Sequence, residues 1–254
     1  MDEVERAQHR LYARLPAFQR KVEWACQIMD DALAKDGAWY LAFSGGVDST
    51  VLLHLLYQAG RRIAVRWSDD GFDYPETIDF LRQSEETYGF HLHRVRNLHS
   101  WNLWCQEMGR PDLCIPTMDP HTEEAWGNPR EWDSIRLSNM HEEWKEYGGV
   151  FMGLLARESH NRFYALKGGM RPLYQVKSEH GMWHCSPLAA WDKRDVWAYI
   201  VSRNLPYNPV YDKLAELGVS LERRRVAPLT CFRTVQYGSV VTLRSGWQIG
   251  RAHV

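Results

Sequence analysis

Leu11, Leu15, Phe18, Val22, Cys26 and Met29 recur at three- and four-residue spacing, which predicts a helix over residues 1–36, ended by Gly37. The uninterrupted apolar run "AWYLAF" then predicts a buried strand, and "DSTVLLHLLYQAG" a helix stopped by Gly60. "RIAVRW" predicts a second strand leading into "SDDGFDYPET". Pro75 opens a second crossover helix, since the first helical turn tolerates proline. The alternating "FHLHRVR" predicts a third strand. Strand, helix, strand, helix, strand at this pitch predicts an α/β fold: a parallel twisted sheet with helices on both faces, joined by right-handed crossovers.

Between residues 97 and 147 the periodicity weakens into a proline-, tryptophan- and polar-rich stretch, read as irregular connection or lid. "GGVFMGLLARES" restores a strand that runs into a charged loop. "WDKRDVWAYIVSRN" predicts a helix with Asp192 as N-cap and Val196, Tyr199 and Ile200 facing inward. "LPYNPVYDK" reads as a proline-punctuated turn, and "GSVVTLRSGW" as the start of a further helix or strand. The expected organisation is a helical extension at 1–36 and a nucleotide-binding domain at 37–248. The last six residues, "IGRAHV", back-translate to the start of a common sequencing-library adapter, so 249–254 are expected to be foreign to the fold.

With 254 residues and 44% hydrophobic content, the chain can bury one large core. A net charge of -1 supplies no general basic field for a nucleic acid or a membrane surface. No apolar run reaches the roughly 20 residues that a bilayer requires, so no membrane partner is expected. Five cysteines, an odd number with no C-x-x-C pair, suit a reducing cytoplasm rather than a disulfide framework.

The chemistry concentrates in "YLAFSGGVDST", residues 40–50. A buried strand stops at Ser44-Gly45-Gly46 and an amphipathic helix begins near Asp48. Glycine admits positive φ and close approach of a ligand to the backbone. The first N–H groups of the helix lack intrahelical partners and carry the positive end of its dipole. Together with the Ser44 and Ser49 hydroxyls, this makes a phosphate site. The loop lacks the lysine of G-x-x-x-x-G-K-[ST] and does not match G-x-G-x-x-G. An acid beside phosphates is unfavourable unless a cation lies between them, so Asp48 is read as the residue that engages Mg²⁺.

"SGGVDS" resembles the pyrophosphate loop of the N-type ATP pyrophosphatases. The wider chain resembles the phosphoadenosine phosphosulfate (PAPS) reductase family, which also contains the small subunit of ATP sulfurylase. Four further stretches, "SDDGFDYPET", "GLLARESHNR", "SPLAAWDKRDVWAYI" and "LPYNPVYDK", match that family's motifs in order, over roughly Trp39 to Lys213. The resemblance implies an adenine nucleotide, ATP or adenylyl sulfate/PAPS, with phosphates held by Ser44, Gly45, Gly46, Asp48, Ser49 and Thr50. Asp69, with Asp70 and Asp73 on the same strand-end turn, is the candidate for ribose or metal. Arg157, Glu158 and Arg162 are the sharper candidates, the two arginines for phosphate or sulfate oxygens, because guanidinium donates in a planar fork. Lys167 and Arg171 extend that basic edge. Trp191, Asp195, Trp197, Tyr207, Asn208 and Pro209 are read as architectural.

The family's reductases usually lack the loop aspartate and carry a redox cysteine in a C-terminal motif absent here; some carry iron–sulfur cysteine pairs, also absent, so no cluster is expected. Asp48 therefore favours attack at the α-phosphate of ATP, adenylylating an acceptor such as a small oxyanion and releasing pyrophosphate. Asp48, Arg157 and Arg162 would act by charge stabilisation. The alternatives are thiol-dependent reduction through Cys231, Cys185 or a thiol beyond the present C-terminus, and a non-catalytic nucleotide-binding subunit. The latter would act beside a larger partner subunit, in a homo-oligomer, or in a nucleic-acid-modification complex. The "ERRRV" run, Glu222 to Val226, is a candidate partner surface or a solvated face.

Overall fold

A computed structural model describes residues 1–69, 73–96, 146–176 and 181–226. The first helical segment is two helices, α1 (Glu3–Ala13) and α2 (Pro16–Leu33), not one. The expectation of one helix overlooked Pro16, which takes the N1 position of α2 and interrupts the backbone ladder behind it. Asp2 and Glu5 form a reciprocal capping box at the start of α1. The break leaves Leu11 and Leu15 exposed, while Phe18 and Met29 are fully buried.

The central sheet has six strands in the order β3-β2-β1-β4-β6-β5. They are β1 (Ala38–Ala42), β2 (Ala64–Asp69), β3 (Leu92–Arg96), β4 (Tyr147–Met152), β5 (Leu173–Gln175) and β6 (Trp183–Cys185). The expected parallel core is present from β3 through β6. The sheet is corrected at one edge, where β5 pairs antiparallel with β6. Three-residue strands carry too few alternations to register as a period-two pattern.

Two crossover helices, α3 (Val47–Gln58) and α4 (Pro75–Tyr88), join the first three strands. Val51, Leu52, Leu53, Leu55 and Leu56 of α3 are all buried, because this helix lies between β4 and α6 (Lys193–Ser202), which comes after the short α5 (His160–Ala165). A helix apolar around its circumference is one buried on more than one side. Gly89 ends α4 in the left-handed conformation, with its N–H on Glu85 O. Asp192 and Asp195 cap α6 reciprocally, and Val196, Tyr199 and Ile200 point into the core as expected. The "LPYNPVYDK" turn is corrected in its second half, which begins α7 (Val210–Glu216). Asn208 starts it by donating to Thr77 Oγ1 at 2.8 Å and accepting from Val210 N at 3.0 Å.

Helix α2 belongs to the same core as the sheet. Its Phe18 ring lies 5.8 Å from that of the fully buried Trp191, which meets Tyr199 at 5.9 Å. Tyr12 and Lys21 reach the buried Asp195 at 2.8 and 2.5 Å, tying both N-terminal helices to α6. No helix among the described residues is long and apolar enough to cross a membrane. "GSVVTLRSGW", Asp70, most of the lid segment and residues 249–254 lie outside the described residues.

The strand order reverses between β1 and β4, since β1 leads to β2 on one side and β4 lies on the other. Open α/β sheets leave a crevice at the carboxyl ends of strands at such a reversal.

Candidate functional site

The loop after β1 and the chain after β4 meet at that crevice and wall a cavity of about 370 Å³. Such a volume suits a small-molecule ligand. Phe43 N–H donates to Arg66 O at 2.8 Å, which keeps the strand in the sheet up to the turn. Gly45 then takes φ +70°, with the space a Cβ would fill occupied by Thr77 and Leu81 of α4 at 3.3 and 3.4 Å. That conformation and that crowding both call for glycine.

Gly46 is the N-cap of α3 and supplies no side chain to satisfy the first turn. Its carbonyl accepts from Thr50 N, Thr50 Oγ1 and Ser49 Oγ at 2.9 to 3.0 Å. Val47 N–H donates to Tyr211 Oη of α7 at 3.1 Å. Burial, reinforced by Asp48, pushes the Tyr211 phenol up to about 12, so it stays neutral. The N–H groups of Asp48 and Ser49 have no acceptor within the helix.

Gly153, directly after β4, packs against this first turn. A Cβ there would lie 2.8 Å from Ser49 N and 2.9 Å from Asp48 C. The missing side chain lets the end of β4 and the start of α3 approach backbone to backbone.

Five charged groups cluster on the cavity wall. Lys193 Nζ lies 2.7 Å from Asp48 Oδ2 and 2.8 Å from Glu158 Oε1. Glu158 also pairs with Arg162 and, at 3.6 Å, with Arg225. The Asp48, Lys193 and Glu158 side chains are 16, 11 and 9% exposed, so these charges interact with little water between them. Burial raises the pKa of Asp48 against the pull of Lys193, with Glu158 adding to the rise. Burial alone would also raise Glu158, but Lys193, Arg162 and Arg225 outweigh it and hold this carboxyl below its ordinary 4.5.

That depression gives Glu158 a pH signature. The folded state binds its proton more weakly than the unfolded chain, so its stabilising contribution is complete above about 4.5 and is lost as pH falls through the lower folded value. Glu158→Gln is therefore expected to lose stability relative to the parent at pH 6 to 7, with the gap narrowing below about 4.5. Urea denaturation across pH checks this, and a gap that widens on acidification contradicts it.

Asp48 Oδ1 and Ser68 Oγ, on residues that line the cavity, are buried with no hydrogen-bond partner among the described residues. Buried polar atoms are normally satisfied, so unsatisfied ones beside a cavity suit a ligand or an ion. Arg66, Trp67, Ser68 and Asp73 form the wall beneath β2, where Trp67 Nε1 donates to Asp73 Oδ2 at 3.2 Å.

The structure brings Ser44, Gly46, Asp48, Ser49, Glu158 and Arg162 of the expected set to this cavity. Gly45 faces α4 instead, and Thr50 is buried with its hydroxyl on Gly46 O. Asp69 is buried beside Arg94, and Asp73 rather than Asp69 reaches the wall. Arg157 is exposed and does not line the cavity; Arg171 lies over the Tyr174 ring. Sequence reasoning did not single out the lining residues Lys193, Tyr211 and Gly153, and it gave Arg225 only as part of a candidate partner surface or solvated face. "ERRRV" is resolved into separate roles, since Arg224 is buried with Nε on Val219 O at 2.8 Å while Arg225 faces Glu158. Of the thiols, Cys26 is half-buried and Cys185 buried, burial raises both pKa values, and neither lines the cavity. Cys105, Cys114 and Cys231 lie outside the described residues.

Residues 38–235 match the family model described as "Phosphoadenosine phosphosulfate reductase domain". A relative from Xanthomonas euvesicatoria pv. vesicatoria, named phosphoadenosine 5'-phosphosulfate reductase, is 30% identical over 204 residues, covering 76% of this chain and 72% of its own. A Gloeobacter violaceus protein of the same name is 28% identical over 216 residues, covering 84% and 78%. Among solved structures, the phosphate complex of Candida auris phosphoadenylyl-sulfate reductase superposes with a TM-score of 0.55 at 15% identity, covering 90% of this chain and 96% of that one. Candida glabrata FMN adenylyltransferase in complex with ATP superposes at 0.53 and 15% identity, covering 82% and 66%. At these identities the two structures speak to the fold.

Proposed function

Because the chain belongs to the phosphoadenosine phosphosulfate reductase domain family, we propose that its cavity binds an adenine nucleotide by the phosphates and cleaves ATP between the α and β phosphates. An acceptor oxygen attacks the α-phosphorus, the bond to the β-phosphate oxygen breaks, and pyrophosphate leaves with the electron pair. The acceptor becomes adenylylated. No covalent enzyme intermediate is needed.

The observation that carries this reading is Asp48, a carboxylate at the first turn of α3 with one oxygen on Lys193 and the other buried with no partner among the described residues. A carboxylate beside phosphates is unfavourable unless a cation lies between them. Asp48 Oδ1 fits Mg²⁺, which takes one or two carboxylates and completes its shell with phosphate oxygens and water. No group of three or more acidic, histidine or cysteine residues suited to a metal occurs among the described residues, and such a site does not need one. When bound, Mg²⁺ would neutralise charge on the phosphate oxygens.

The chain's own groups divide the remaining work. The Asp48 and Ser49 N–H groups grip phosphate oxygens at the positive end of the α3 dipole, and the Ser44 and Ser49 hydroxyls join them by turning from each other and from Gly46 O. Arg162 stabilises the charge that develops as pyrophosphate departs. Arg66, Trp67 and Ser68 bound the remaining wall, where the nucleoside has room.

A second reading, thiol-dependent reduction of an adenylylated sulfate, is favoured by the names of the curated relatives. It requires a nucleophilic thiol at the site, and the two described cysteines are removed from it. One assay separates the readings. Pyrophosphate released from ATP with sulfate or another oxyanion as acceptor supports adenylylation. Sulfite formed from PAPS and a dithiol, with no cleavage of ATP, overturns it in favour of reduction.

A further inference from the structure

The wall contains a cation that neither the loop motif nor the arginine segment accounts for. Lys193 follows the N-cap of α6, and its ammonium bridges two carboxylates that come from different parts of the chain. We propose that Lys193 is a substrate-contacting residue of this site: Asp48 and Glu158 position its ammonium, which donates its remaining hydrogen to a phosphate oxygen of the bound nucleotide. The inference rests on the nucleotide reading above and adds to it a residue and a role.

An ammonium has three donors. Asp48 Oδ2 and Glu158 Oε1 take two of them at 2.7 and 2.8 Å, which leaves one without an acceptor among the described residues. Burial would lower the pKa of Lys193, but Asp48, Tyr211 and Glu158 outweigh it and raise the value, so the group remains charged at any pH the protein meets. Three cations, Lys193, Arg162 and Arg225, face two carboxylates, and the cluster carries an excess of positive charge toward the cavity. A buried ion pair is a poor source of net stability, because a packed apolar side chain does as well or better. Its presence on a ligand wall is better explained by an anion it receives. Glu158 holds Lys193 independently of Asp48, so the ammonium keeps a carboxylate partner when Asp48 turns to a metal ion.

The test measures affinity along a ladder of phosphates: adenosine, AMP, ADP and ATP, by calorimetry in EDTA so that no metal contributes. The parent protein is expected to bind more tightly as phosphates are added. Lys193→Met, which keeps length and removes charge, is expected to weaken ATP by about tenfold or more while changing adenosine less than about twofold. Lys193→Arg is expected to recover part of the ATP affinity. A purely structural lysine would lower all four affinities together, and that result, or an unchanged ladder, overturns the proposal. A parent protein with no preference for phosphate, in EDTA and again with Mg²⁺ added back, removes the nucleotide reading itself, and this inference with it. Should Lys193→Met not fold, Asp48→Asn/Lys193→Met against Asp48→Asn gives the same comparison without an unpaired buried charge. The double variant must then lose the further tenfold for ATP.

Discussion

Asp48→Asn is expected to lower pyrophosphate release by about 10²- to 10³-fold while leaving thermal stability unchanged or slightly higher. The two halves of this result have separate causes. The catalytic loss follows from removing the charge that would link the phosphates to a cation. The stability follows from the direction in which burial moves the group. Its folded pKa is raised above the ordinary 3.8, so the folded state holds the proton more tightly than the unfolded chain does. As pH rises past that ordinary value, the folded state loses stability relative to the unfolded chain, and the loss continues until pH passes the raised folded value. Asparagine keeps the shape without the charge. Lys193 still has Glu158 at 2.8 Å, so no cation is left unpaired. Steady-state assays paired with thermal melts at pH 7 check both halves. A variant that loses activity and melts well below the parent would make Asp48 a structural residue.

The second large effect is expected at a position with no functional side chain. Gly153→Ala should destabilise the protein by about 2 to 3 kcal/mol and weaken nucleotide binding by tenfold or more. Its new methyl would sit 2.8 to 3.1 Å from Ser49 N, Asp48 C and Ser49 Cα, all of them backbone atoms of the first turn of α3. Backbone in a helix that is buried on several sides cannot retreat as a side-chain tip can. The turn would have to tilt, and the N–H groups aimed at phosphate would move with it. For a chain of this size the stability loss corresponds to a fall in melting temperature of roughly 5 to 10 °C. A melt within about 2 °C of the parent would show that the two backbones separate easily.

The contrast between Asp48 and Gly153 shows how far the site was legible along the chain. Asp48 stands out because a carboxylate two residues after Gly-Gly breaks an apolar run at the start of a helix, a purely local pattern. Gly153 has a local reading only as the end of a strand; its significance lies in contact with a helix more than one hundred residues earlier. Lys193 was hidden for a similar reason. Beside Asp192 and Asp195 it reads as a solvated residue in a helix cap, and only the packing of α6 against α3 brings it to Asp48. Arg225 sat in a basic run whose three arginines look equivalent in sequence. One is buried on a carbonyl and another reaches the cavity.

What the sequence determined by itself is everything that depends on neighbours within a turn or a strand. That covers the α/β alternation, the parallel core through β3, the Ser-Gly-Gly turn with its helix start, the proline openings and glycine stops, and the acid in the loop. Pro16 was equally local and could have been read. Tertiary structure alone decided the sheet's order, the antiparallel edge made by β5 and β6, and the reversal between β1 and β4 that opens the crevice. It also selected which charges face that crevice. Arg162 arrived there and Arg157, five residues earlier in the same segment, did not. The physical reason is range. Backbone propensity and amphipathic periodicity act over a few residues, whereas a buried charge is placed by whatever partner the packed core brings to it.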